Sequence, residues 1–356
     1  MPKIKVRNAY LDLLRLIACI LIITVHVSAL NWVTTDVNSL SWQIMNAYDC
    51  LGSIGVPLFV MISGALLLNK DYSLSMKDLY CNKIFPLMLV YFIWLLLYNV
   101  VNFIDIGTPV SYESVKDLII LNALLGRGIY HLWFIPMLLG LYMITPILRA
   151  AFSTKKICLY FLILSFFIGF FMPTLLLFPF PYKTIVESLY NRIPYTMLTG
   201  FIGYYVLGHY LHSFVDNVSN KKLILLMSFG LLGYITTVIV CGQDAIRIGS
   251  ASTIINSPLT ANLFFPSFSV FLMIKMINQR KYRQSSGPLL TTIVSLTFGI
   301  YLIHPLILRF LDKMGVHTLF LSPLVSIPIL VAVVFVLSAI PVFIIQKIPY
   351  IGKYLI

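Results

Sequence analysis

Residues 11–30 read LDLLRLIACILIITVHVSAL, and only Asp12, Arg15, Cys19 and His26 in that stretch carry a titratable side chain. About twenty helical residues rise some 30 Å, roughly the thickness of a bilayer's hydrocarbon layer. The stretch therefore predicts a membrane-spanning helix with a few polar groups held at membrane depth. Lys3, Lys5 and Arg7 precede it like the basic region of a signal peptide. The ionisable residues within the run, and its want of a small-residue cleavage site, predict a retained first helix.

Working outward, the pattern repeats. Apolar runs fall at roughly 47–68, 84–104, 131–149, 157–178, 193–212, 223–241, 259–279, 290–310 and 322–346, which with the first make ten. A chain of 356 residues that is 60% hydrophobic and 10% charged, with mean hydropathy +0.94, lacks the polar surface of a soluble protein. The expected fold class is an all-α membrane protein, a polytopic bundle of about ten transmembrane helices. Residues 1–356 are expected to form a single membrane domain with no separate soluble domain. Pro57, Pro86, Pro136, Pro146 and Pro305 lie in or near these runs, where neighbouring helices can satisfy freed backbone groups.

Charge sets the orientation. With the N-terminus inside, seventeen of the 25 Lys and Arg residues fall in inside segments and seven outside, Arg15 lying within a span. Cytoplasmic loops gather Lys and Arg, so both termini are expected in the cytoplasm. The same rule accounts for the net charge of +13. No basic tract exists to neutralise phosphates in series, and no nucleic-acid partner is expected. Cys19, Cys50, Cys81, Cys158 and Cys241 have no metal-ligand spacing and read as packing residues, with Cys50 and Cys241 on the same side. Residues 112–120 fit either an amphipathic helix along the outer interface or an ordered loop. No internal repeat of the kind found in secondary transporters is visible.

Ionisable groups at membrane depth are costly, and each is a candidate for function. Asp12, Arg15, Cys19, Ile22 and His26 follow helical spacings that place them on one face. Arg15 and His26 are then about 16 Å apart along the axis, Arg15 toward the cytoplasm and His26 in the outer half. Asp12 lies one turn from Arg15 and can offset its charge, although anchoring at the inner interface is its plainer role. His131 opens the fourth run at the outer face and His304 lies in the outer half of the ninth, so both can approach His26 in depth. For these two, function and satisfied packing stand even. His209, His212 and His317 fall near span ends and read as structural. Of the carboxylates, only Asp12 and Asp49 fall within or at the edge of a span. No zinc-binding, nucleophile-elbow or phosphate-loop motif is present, and no metal is expected. For acid–base chemistry in the membrane, His26 is the best-placed general base.

These residues resemble a known family, the integral-membrane acyltransferase family 3, along essentially the whole chain. Tyr10-Leu-Asp-Leu-Leu-Arg15-Leu-Ile-Ala followed by His26 looks like the family's Arg and His signature. Gly55-Val-Pro-Leu-Phe-Val-Met-Ile-Ser-Gly64 is similar to its second-helix motif. Tyr130-His-Leu-Trp-Phe with Leu141-Tyr-Met-Ile-Thr-Pro146 is similar to its fourth-helix pattern, and Gly299-Ile-Tyr-Leu-Ile-His304-Pro to a late one. The nearest likeness is to the enterobacterial common antigen O-acetyltransferase-like subgroup. Members often carry two arginines separated by two residues near the third helix; here Tyr80-Cys-Asn-Lys83 supplies one cation, Lys83.

The resemblance implies a membrane O-acyltransferase that moves an acyl group, acetyl from acetyl-CoA in the first instance, to a sugar hydroxyl of a cell-envelope glycan or its lipid-linked precursor. It implies His26 and Arg15 as catalytic residues, with Arg15, Asp12 and Lys83 binding the donor. His131, Trp133, Tyr301 and His304 are then acceptor-site or supporting residues. The implied partners are acyl-CoA as a donor substrate, with no permanently bound cofactor, the glycan acceptor and membrane lipids. The implied location is the bacterial inner membrane. A proton-coupled transporter or flippase of a glycan or lipid precursor is the competing reading, since it too places Arg and His inside a bundle.

Overall fold

The computed structural model describes residues 8–69, 74–106, 129–192, 194–281 and 286–349. Among them there are helices and no strands. The basic residues Lys3, Lys5, Arg7, Lys70, Lys116, Arg127, Arg283 and Lys353, and the segment 112–120, lie outside the described residues.

The helices are α1 (Ala9–Ala29), α2 (Leu40–Gly52), α3 (Gly55–Leu67), α4 (Met76–Leu79), α5 (Phe85–Ile106), α6 (Phe134–Ala151), α7 (Lys155–Leu164), α8 (Met172–Leu175), α9 (Lys183–Arg192), α10 (Ile202–Phe214), α11 (Asn220–Ile248), α12 (Ala261–Lys281), α13 (Pro288–Lys313) and α14 (Pro323–Lys347). A π-helical turn, Tyr80–Ile84, joins α4 to α5, and another, Ser165–Phe171, joins α7 to α8. Pro57 and Pro136 sit in the first turns of α3 and α6, where a missing N–H breaks no intrahelical bond.

Nine stretches among the described residues are long and apolar enough to cross a membrane. The expected run 193–212 differs. Pro194 and Gly200, the latter with φ +75°, interrupt it, so that α10 is only 13 residues long. Alone it rises about 20 Å, but Phe201 at its start packs on Trp133 and His212 at its end bonds Tyr10, so the interrupted run still connects the two ends of the bundle. It is buried against α3, and the approach is close enough to exclude side chains. A Cβ added to Gly64 would lie 1.8 Å from the Tyr205 carbonyl oxygen, and one added to Gly208 would lie 1.9 Å from that of Met61. Small residues at helix contacts are what packing in a bilayer favours, because lipid supplies no hydrophobic drive between helices.

Helix α1 is the centre of the bundle and packs against α2, α3, α12, α13 and α14. That position explains how a helix carrying Asp12, Arg15 and His26 survives in a membrane: its polar face meets protein, not lipid. By contrast, α11 presents Ile224, Leu225, Phe229, Leu231, Leu232, Ile235 and Ile239 as an exposed apolar surface. In water such a surface would be a liability; in a bilayer it is the lipid-facing wall.

At the bundle end nearest Tyr10, Lys275 of α12 is buried and its Nζ donates to the carbonyls of Leu211, His212 and Val215 at 2.7, 3.1 and 2.6 Å. A cation thus satisfies the carbonyls that the end of α10 leaves without intrahelical partners. Lys275→Met is expected to destabilise the fold by about 2–3 kcal/mol, read as a fall in the unfolding temperature of the detergent-solubilised protein.

Candidate functional site

The polar face of α1 lies along α13. At one end the Asp12 carboxylate accepts from Arg15 Nη1 at 3.1 Å and from Ser286 Oγ, just before α13, at 2.6 Å. Asp12 is buried, whereas Arg15 retains 29% of its side-chain exposure. Midway, Cys19 Sγ approaches the Thr297 carbonyl of α13 at 3.8 Å. At the other end His26 stacks on His304 of α13, with ring centroids 5.1 Å apart and planes at 26°. The one-face array read from the sequence is therefore a continuous α1–α13 seam.

His131, ahead of α6, completes a group of three imidazoles. Its ring meets that of His304 edge to face at 5.9 Å. Tyrosines wall the group: Tyr130 against His26 at 5.0 Å, Tyr98 of α5 against His131 at 4.7 Å, and Tyr301 against His131 at 5.9 Å. The Tyr98 and Tyr301 hydroxyls donate to the carbonyls of Leu302 and His131 at 2.7 and 2.6 Å. These bonds tie α5, α6 and α13 together around the rings. Because α1 and α13 run in the same direction between His26 and His304, the ring contact also agrees with the shared depth inferred from loop charge.

The hydrogen bonding of the rings fixes part of their chemistry. His304 Nδ1 lies 3.1 Å from the Ile300 carbonyl, which can only accept, so Nδ1 carries the proton and Nε2 presents its lone pair. That Nε2 is buried without a partner, as are both ring nitrogens of His131. Buried polar atoms are nearly always paired, and a cluster of unpaired ones marks a place built to receive a polar group. His26 is only partly buried and makes no hydrogen bond among the described residues, so its ring nitrogens are open to a ligand.

Other predicted site residues are less closely joined. Lys83 is exposed on the π-helical turn and forms no hydrogen bond or ion pair with Asp12 or Arg15. Trp133, the residue before α6, is 46% exposed and packs on Phe201 at 5.6 Å. Tyr301 touches both His131 and His304. Tyr301→Phe keeps the ring and removes the bond to the His131 carbonyl. It is expected to lower turnover about tenfold with substrate binding unchanged, as a steady-state separation of kcat from KM checks.

The histidines set aside as structural are bonded. His209 Nε2 lies 3.2 Å from the Phe152 carbonyl, and His212 links the Tyr10 hydroxyl to Asn69. All five cysteines are free thiols, and only Cys81 is exposed. Asp49, buried, accepts from Asn256 Nδ2 at 2.6 Å and Ser28 Oγ at 3.5 Å. Tyr98 had no recognisable sequence signal: an aromatic in an apolar run is the commonest kind of packing residue.

The family described as an acyltransferase domain, acyltransferase 3, matches residues 8–345. Neither the curated proteins nor the solved structures yield a match.

Proposed function

Because the chain belongs to the acyltransferase 3 family and is a multi-pass membrane acyltransferase, we propose that it moves an acetyl group from cytosolic acetyl-CoA to a sugar hydroxyl of a cell-envelope glycan or its lipid-linked precursor, in a bacterial inner membrane. The observation that carries this reading is the His26–His304–His131 group, with its unpaired buried nitrogens, lying on the same α1 seam as Arg15.

The roles follow from chemistry. Acyl transfer to an alcohol needs the hydroxyl proton removed as the oxygen attacks the thioester carbonyl. A neutral imidazole does this near physiological pH. His26 is the general base in this reading, because its ring nitrogens are open where those of His131 and His304 are buried. His304, protonated on Nδ1, stacks beneath it and restricts its ring orientation. Tyr98 and Tyr301 hold the second and third rings in place. The attack can also proceed in two steps, with the acyl group resting on His26 before the sugar takes it.

Arg15 supplies positive charge for the donor at the inner end, where Asp12 sets its direction. The interval of about 16 Å between Arg15 and His26 suits an extended donor arm threaded along α1. Lys83 would add attraction for the donor's phosphates at the inner surface.

Purified protein in detergent, incubated with acetyl-CoA labelled in the acetyl group and with an envelope glycan fraction, is expected to release CoA and label the glycan. Glycan movement across proteoliposomes without CoA release would instead establish the transporter reading. Asp12→Asn is expected to raise the KM for acetyl-CoA about tenfold with a smaller change in kcat, since it loosens the guanidinium and leaves His26 untouched.

A further inference from the structure

The three imidazoles differ in what they can give. Acyl transfer needs a base for the attacking hydroxyl, and also a hydrogen-bond donor for the negative charge that develops on the carbonyl oxygen. Most donors in the group are already engaged. His304 directs its one N–H to the Ile300 carbonyl at 3.1 Å and keeps only a lone pair. The Tyr98 hydroxyl donates to the Leu302 carbonyl at 2.7 Å, and the Tyr301 hydroxyl to that of His131 at 2.6 Å. His26 has to present a lone pair to take a proton. Among the described residues of the group, one buried donor is left: a neutral His131 ring carries one N–H, and neither of its nitrogens has a partner.

Position and burial suit that N–H to the task. His26 and His131 pack on the same two rings, Tyr130 at 5.0 and 5.5 Å and His304 at 5.1 and 5.9 Å between centroids. A thioester attacked beside His26 thus has His131 as a neighbour. His131 retains 3% of its exposure. That disqualifies it as the base, which must meet a bulky sugar, but a carbonyl oxygen is a single atom, and a donor kept from water stabilises its charge most. The ring is also held in advance. Tyr301 fixes the His131 backbone carbonyl, and Tyr98 packs edge to face on the ring at 4.7 Å.

We infer that His131 is a catalytic residue whose ring N–H donates to the carbonyl oxygen of the acyl group as that oxygen becomes anionic, Tyr130 moving aside to admit it. This rests on the acyltransferase reading. The sugar oxygen bonds to the thioester carbon while its proton passes to His26, and the carbonyl π pair moves onto the oxygen held by His131. When the pair returns, the carbon–sulfur bond breaks, and CoA leaves as a thiolate that takes the proton from His26. His131 keeps its own proton throughout. Where the acyl group first rests on His26, the same oxygen becomes anionic once in each step and the same donor serves.

Full-length detergent-solubilised protein carrying His131→Leu or His131→Gln is assayed for CoA release from acetyl-CoA with the envelope glycan fraction. His131→Leu removes the donor and is expected to lower kcat about 10²- to 10³-fold, the effect of one oxyanion donor, with the KM for acetyl-CoA within about threefold of wild type. His131→Gln keeps an N–H and is expected to recover about tenfold or more of that loss. The unfolding temperature of the leucine variant should be unchanged or higher, because no hydrogen bond to the ring is broken and an unpaired polar group leaves the interior. A histidine needed for packing alone would lose stability and activity together. His131→Met supplies the donor-free comparison if leucine fails to fold. A donor-free variant with kcat within a few-fold of wild type, equal losses with and without the glutamine N–H, or activity that falls only in step with the unfolding temperature would overturn the inference. Each of those results leaves the acyltransferase reading standing, whereas a wild type that releases no CoA removes both.

Discussion

Replacing His26 with alanine is expected to lower acetyl transfer by about 10²- to 10⁴-fold, the range over which a positioned general base contributes. The unfolding temperature should stay near that of the wild type. His26 makes no hydrogen bond among the described residues and is partly exposed, so removing it breaks no bond and opens little sealed volume. Its ring contacts with His304 and Tyr130 are worth little to stability beside its chemistry. Single-turnover transfer from labelled acetyl-CoA isolates the chemical step from product release. Quenching early and locating the label separates the two routes: label on His26 identifies the covalent path, and label only on acceptor identifies the direct one. Activity of the alanine variant within a few-fold of wild type would sink both.

The second large effect concerns assembly. Gly208→Ala is expected to destabilise the protein by about 3 kcal/mol or more, because the new methyl would sit 1.9 Å from the Met61 carbonyl oxygen. That oxygen belongs to the backbone of α3 and cannot rotate away as a side chain would. Relief requires α3 and α10 to separate, which undoes the contact that keeps the short helix buried. Gly140→Ala is the matched comparison: nothing lies within 4 Å of its added Cβ, and a change within about 0.5 kcal/mol is expected. Fluorescence-detected size exclusion after a heat step reads both. If Gly208→Ala survives as well as Gly140→Ala, the close α3–α10 approach is not what holds the bundle.

The two variants probe different layers of the same design. The imidazole group needs α1, α6 and α13 in register, and α1 also touches α3. A shift at α3 can therefore reach the site. Gly208→Ala that stays folded should lose activity in proportion to its loss of order, whereas His26→Ala should lose activity with order intact.

Much was legible beforehand for a physical reason. Water, lipid and the helix period act on each segment separately, so run length, loop charge and the spacing of Asp12, Arg15, Cys19 and His26 are local properties. They determined a helical membrane protein, its apolar spans, and the face of α1 that must avoid lipid. Where local chemistry interrupted a run, at Pro194 and Gly200, hydropathy alone missed the break. Average greasiness does not register a single residue with φ +75°.

Only the tertiary structure decided which residues share the site. His26, His131 and His304 come from distant parts of the chain, and their shared depth was readable while their contact was not. Depth follows from position along a helix, whereas contact depends on which helices pack side by side and how each is rotated. The same packing brought Tyr98 to His131, turned Arg309 toward Asn102 and set the polar face of α1 against α13. Sequence alone determined the membrane layer and the polar face of its central helix; packing decided what that face meets.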